Sequence, residues 1–102
     1  MEKNVKVAII GGGVVGCSIL YHLAKFGLKD CILLERNELT SGSSWHAAGN
    51  VHVISSDPNI SRMMAYTIGL YKDIEKESGH STGFKPSGGF YLASNDVWAE
   101  YL

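Results

Sequence analysis

The hydrophobic positions of this chain fall into blocks with different periods. Residues 6–10, KVAII, form an apolar run without alternation, which suits a parallel strand covered on both faces. Three glycines follow at once. The next block, VVGCSILYHLAKFG, carries Ile19, Leu20, Leu23 and Phe26 at helical spacing, with Gly27 placed to stop it. A second apolar run, KDCILLER, then ends in the charges of Glu35 and Arg36. Strand, tight turn, helix and strand within some thirty residues predict a βαβ unit with parallel strands and a right-handed crossover.

Beyond the second strand the pattern changes. Small and polar residues dominate from 37 to 50, predicting a loop with a short helical turn. Residues 56–79 return to a helical period. Asp57 is placed to cap, Pro58 fits the first turn, and Gly79 ends the helix. Ile60, Met63, Met64, Thr67, Ile68, Tyr71 and Ile74 make its apolar face, opposite the charges of Lys72, Asp73, Glu75, Lys76 and Glu77. GGFYLAS, residues 88–94, reads as a strand. NDVWAEYL, residues 95–102, opens a helix capped by Asn95 or Asp96, with Trp98, Tyr101 and Leu102 on one face. Such a face at the last two turns has little left to pack against, and a parallel edge is usually covered. The expectation is therefore the N-terminal piece of a longer protein, with a self-contained dimerising mini-domain as the alternative.

The turn between the first strand and helix carries the first candidate chemistry. GGGVVG contains G-x-G-x-x-G as Gly11, Gly13 and Gly16. The motif alone is weak, but here it follows a strand, opens a helix, and is answered by an acid, Glu35, 19 residues after Gly16. Gly11 allows the tight turn, Gly13 lets backbone approach a pyrophosphate, and Gly16 lets helix and strand pack closely. The N–H groups opening the helix, at Val14 and Val15, and its dipole favour phosphate. Glu35 can accept hydrogen bonds from ribose hydroxyls, which favours NAD or FAD over NADP, although Arg36 beside it could meet a 2′-phosphate. The fingerprint alone leaves NAD and FAD open.

Charge narrows the partners. Nine Lys and Arg against ten Asp and Glu give a net charge of −1, without a basic run, which argues against nucleic acid. The apolar runs are too short to span a bilayer and no export signal is visible, so the expectation is a chain without membrane insertion, in the cytoplasm or, in a eukaryote, the mitochondrial matrix. Cys17 and Cys31 form neither a metal nor a redox motif and read as buried free thiols. No metal site is expected. His22, His52 and His80 read as ordinary surface or filler positions.

SGSSWHAAGNVH, residues 41–52, places a tryptophan and a histidine side by side in a run of small residues. It stands where a chain leaving the second strand would pass along a bound pyrophosphate. Ser41, Ser43 and Ser44 offer donors to phosphate. Ala47, Ala48 and Gly49 let backbone lie against a flat ring, and Trp45 either shields that ring or packs in the core. Together with AIIGGGVVGCSILYHLAKFG, LLERNELTSGSSWHAAG, DPNISRMMAYTIGLYKDIEKESG and GFKPSGGFYLAS, this run resembles the N-terminus of the dimethylglycine dehydrogenase and sarcosine dehydrogenase family, within the D-amino-acid oxidase superfamily. Asn50 departs from the apolar residue that the family pattern leads one to expect.

The resemblance implies an α/β fold: the N-terminal Rossmann-like βαβ of an FAD-binding domain, part of a larger two-domain flavoprotein. Residues 1–80 would begin the FAD-binding domain and residues 81–102 the substrate-domain sheet. It implies FAD bonded covalently to His46 through the flavin's 8α-methyl carbon. It also implies oxidation of the N-methyl group of a small methylated amino acid, with electrons leaving to oxygen or to an electron-transfer protein. Tetrahydrofolate would enter only through a part beyond this chain. The cofactor-binding candidates are Gly11, Gly13, Val14, Val15, Gly16, Glu35, Arg36, Ser43, Ser44, Trp45, His46, Ala47 and Ala48. No residue here reads as a general base, so no catalytic residue is assigned. The competing readings are a truncated or regulatory flavoprotein-like module without turnover, and a non-covalent NAD-dependent dehydrogenase.

Overall fold

The computed structural model describes residues 4–102, in two compact units that divide between Asn50 and Val51. In the first, strand β1 (Val7–Ile10) leads through the glycine turn into helix α1 (Val14–Lys25), which returns to strand β2 (Cys31–Leu34). The strands pair in parallel, Val7 against Cys31 through Ile10 against Leu34, as the two apolar runs predict. The ladder extends into the turn, where Gly11 N–H donates to the Leu34 carbonyl at 2.8 Å.

Helix α1 stops as its sequence demands. Gly27 adopts φ +87°, its N–H donates to Ala24 O, and Leu28 N–H reaches back to Leu23 O, both at 2.9 Å. This pair of bonds is a Schellman motif and satisfies carbonyls that the helix end would otherwise orphan. The predicted apolar face is only partly covered. Leu20 and Leu23 are half-buried, while Ile19 is 45% and Phe26 82% exposed. What the unit buries is its centre: Ile9 of β1 with Gly12 and Gly16 of the turn. Cys17 and Cys31 are free thiols, half-buried rather than buried as expected.

The second unit is built on helix α2 (Pro58–Ser78). The Asp57 carboxylate accepts from the N–H groups of Asn59 and Ile60, Pro58 occupies the first turn, and Gly79 ends the helix at φ +71°. Met64, Thr67, Ile68, Tyr71 and Ile74 are half-buried, but Ile60 and Met63 of the predicted face are exposed, Met63 at 65%. The chain beyond α2 folds back on it. Phe84 stacks on Tyr71 with ring centroids 5.6 Å apart. The Glu75 carboxylate accepts from Thr82 N–H at 2.7 Å, and from the hydroxyls of Thr82 at 2.9 Å and Ser81 at 3.3 Å. These donors, the Thr82 N–H foremost, hold the Glu75 carboxyl below its usual value against a smaller desolvation effect.

The strand expected at residues 88–94 does not form. A strand needs a neighbour to satisfy its backbone groups, and among the described residues the second unit holds none. Gly88 at φ +74° also breaks extended geometry at its start, and Phe90 and Leu92 are left almost fully exposed. Helix α3 (Asp96–Tyr101) closes the chain, with the Asn95 side chain accepting from Trp98 N–H. No helix among the described residues is long and apolar enough to cross a membrane.

Candidate cofactor site

The site grows from the junction of β1, α1 and the segment after β2. Gly11 adopts φ +103°, a region closed to most side chains, and this lets the chain turn sharply from strand to helix. A Cβ added at Gly16 would run into the Gly11 carbonyl oxygen, so only glycine lets α1 lie this close to the end of β1. Gly13 faces Ser44: a Cβ there would press on the serine hydroxyl. The turn at Gly11 and the close packing at Gly16 are those read from the sequence, whereas Gly13 makes room for Ser44.

Of the three residues that the fingerprint leaves unspecified, Gly12 is the most heavily engaged. Gly12 is buried, and a Cβ on it would meet Leu39 and the Glu35 side chain. Its N–H donates to Glu35 Oε2 at 2.7 Å, and its carbonyl accepts from Thr40 N–H at 2.9 Å and from the Cys17 thiol at 3.5 Å. Glu35 Oε1 accepts from Asn37 N–H at 2.9 Å. The Gly12 N–H first, then that of Asn37, hold the Glu35 carboxyl below its ordinary value; partial desolvation opposes them and neighbouring Arg36 assists. Glu35 is therefore an anchored carboxylate, and each oxygen keeps a further lone pair for an incoming hydroxyl.

Val14 N–H, at the start of α1, donates to Ser44 Oγ at 2.8 Å. The serine oxygen thus caps a helix 30 residues away in sequence and keeps its own proton to donate. Among the described residues, the N–H groups of Gly13, Val15 and Gly16 donate to no protein group, although Gly16 is buried. Three open donors at a helix N-terminus make a cradle for an anion. Beside it an open hollow of about 510 Å³ is lined by Ile10, Gly11, Leu34, Glu35 and Arg36, at the carboxyl ends of both strands. That is where parallel α/β sheets bind ligands.

The segment after Ser41 winds through helical turns, with N–H groups of Trp45, His46 and Ala47 returning to the carbonyls of Gly42, Ser43 and Ser44. His46 is exposed and its Nδ1 lies 3.0 Å from Gly42 O. A carbonyl only accepts, so Nδ1 is the donor in this contact, and the neutral ring in this tautomer presents its lone pair at Nε2. Trp45 is 77% exposed. Ser43, Ala47 and Ala48 are exposed along the same segment, as is Arg36 at the end of β2. The structure thus joins Glu35 and Ser44 directly to the turn. Gly12 and Thr40 were missed: the first stands at a free position of the motif, and nothing in sequence marks a β-branched residue for a left-handed backbone.

Comparison with known proteins decides the family. A model described as "FAD dependent oxidoreductase" matches residues 6–102.

The chain belongs to this family of FAD dependent oxidoreductases.

It is 46% identical over 96 residues to the mitochondrial dimethylglycine dehydrogenase of Homo sapiens, covering 94% of this chain and 11% of that protein. With the mitochondrial sarcosine dehydrogenase of Mus musculus it shares 41% identity over 96 residues, 93% of this chain and 10% of the relative. A third relative is the mitochondrial pyruvate dehydrogenase phosphatase regulatory subunit of Mus musculus, 38% identical over 93 residues, 91% of this chain and 11% of that protein. The chain thus spans about a tenth of the length of these relatives. The family membership agrees with the βαβ start and with the resemblance seen in the sequence.

Proposed function

We propose that this chain is the cofactor-holding N-terminal segment of an FAD-dependent oxidoreductase acting on the N-methyl group of a small methylated amino acid, of dimethylglycine or sarcosine type. In this reading residues 1–80 begin the FAD-binding domain and residues 81–102 lead into the substrate domain. The observation that carries the FAD half is the cradle itself: open N–H groups at Gly13, Val15 and Gly16, with glycines packed where a Cβ would fill the space. The Glu35 carboxylate beside it would accept from ribose hydroxyls, and Ser44 would donate to a phosphate oxygen. Bound FAD would supply the two-electron oxidation of a carbon–nitrogen substrate, and the residues here hold and orient it. The substrate class rests on the names of the relatives, dimethylglycine dehydrogenase and sarcosine dehydrogenase. Those names also place the relatives in mitochondria, one of the two compartments expected from the sequence. The electron acceptor would be oxygen or an electron-transfer protein, and tetrahydrofolate would require residues beyond this chain.

His46 is the proposed point of covalent attachment. Its free Nε2, with Nδ1 tied to the Gly42 carbonyl, is the atom suited to the bond. The full-length protein should keep yellow colour and flavin fluorescence after acid precipitation, and His46→Ala should release the flavin while still binding it in the native state. Flavin that washes off denatured wild type would defeat the covalent assignment. Turnover of dimethylglycine and sarcosine with a dye acceptor tests the reaction. The similarity to a phosphatase regulatory subunit favours a second reading, a flavoprotein-like module without turnover. Covalent flavin with no reduction by any methylated amino acid would favour that second reading.

A further inference from the structure

Among the described residues Thr40 alone, glycines apart, has a positive φ, at 64°. This left-handed region is unfavourable for a β-branched side chain, and such a conformation persists only where surrounding bonds over-determine it. Here they do. Thr40 N–H donates to Gly12 O at 2.9 Å, and its carbonyl accepts from Trp45 N–H at 3.0 Å. One residue thus ties the buried centre of the glycine turn to the segment carrying Ser44 and His46. Leu39, immediately before it, lies over Gly12, where a Cβ would press on its Cδ2 methyl. The second tie, Val14 N–H to Ser44 Oγ, falls four residues later on the same segment.

We propose that Thr40 is a positioning residue, which locks the Ser44–His46 segment in register on the cofactor-binding turn before the cofactor arrives. The proposal rests on the FAD reading above. The segment need not be ordered at the moment of binding, so uptake is quicker than from a free loop. What matters at position 40 is the backbone: a residue that tolerates the left-handed region and has an N–H suffices, and the threonine side chain is dispensable.

The test uses the full-length protein produced under flavin limitation, so that FAD is added afterwards, with Thr40→Pro, Thr40→Asn and Thr40→Gly. Proline lacks the N–H and cannot adopt positive φ, whereas asparagine and glycine can. Thr40→Pro should take up FAD about tenfold more slowly, the loss expected for one hydrogen bond and its register. Thr40→Asn and Thr40→Gly should stay within about twofold of wild type. Equal uptake by the proline variant, or equal impairment in all three, overturns the proposal. Hydrogen exchange of the cofactor-free wild type keeps the test open if Thr40→Pro fails to fold. The Thr40 and Val14 amides should be protected, and exchange at the rate of free loop amides overturns it. That measurement needs no flavin. A wild type that never binds FAD but protects both amides refutes the FAD reading and leaves the docked segment standing.

Discussion

At the scale of single residues, the anchored carboxylate of Glu35 is the part of the site most open to measurement. Its pKa is lowered in the folded chain by the Gly12 and Asn37 N–H groups. A lowered folded pKa means that the contribution is present above the unfolded value and lost as pH falls through the folded one. Melting of the full-length protein should therefore show a wild type more stable than Glu35→Gln at pH 7. The difference should shrink below pH ~4.5, near the ordinary glutamate value, and vanish under stronger acid. A gap that persists unchanged at low pH would assign the effect to packing instead. The same pairing shows what was readable beforehand. The turn at Gly11 and the close packing at Gly16 were legible because each meets a steric requirement that a motif encodes. Gly12 was not, because its demand comes from Leu39 and Glu35, which reach it only after folding. Thr40 was hidden for a stronger reason: its intrinsic preference points away from the backbone it adopts.

The elements were legible where their ends carry local chemistry. Helix α2 begins at an aspartate and a proline and ends at a glycine, and each residue does in the structure what its chemistry allows. Asp57→Ala should destabilise by about 1 kcal/mol through loss of the two N–H partners at the helix start. Gly79→Ala should cost about 1 kcal/mol by forcing a Cβ into the left-handed region. Denaturant midpoints of the full-length protein, with unchanged slopes, check both, and the two changes should add, since they lie at opposite ends of a 21-residue helix. Residues 88–94 show the converse. Their apolar content reads as strand, but strand identity is decided by a partner, and local sequence cannot supply one. Helix faces lie between these cases. The period placed Met64, Ile68, Tyr71 and Ile74 together, yet Met63 lies open, because the period marks a stripe and leaves its width to whatever packs against it.

At the scale of the molecule, the site is better built than the body that carries it. Ile9 is the one buried hydrophobic side chain among the described residues, while Ile10, Phe26, Phe90 and Leu92 are each more than four-fifths exposed. Ordering a chain of this size opposes folding by about 100 kcal/mol or more, which only extensive apolar burial can offset. Two parallel four-residue strands under one helix do not supply it. The glycine turn, by contrast, is held by hydrogen bonds to Glu35, Thr40 and Ser44 that need little core. The 102-residue chain made alone should therefore show helical far-UV circular dichroism, bind an apolar dye, and melt without a cooperative transition. The same residues within the full-length protein should melt cooperatively, and more sharply with FAD present. A sharp two-state melt of the isolated chain, with no dye binding, would show that its exposed apolar faces are covered by another copy of itself. That melt would also shift upward with protein concentration, which sedimentation across the same range would confirm.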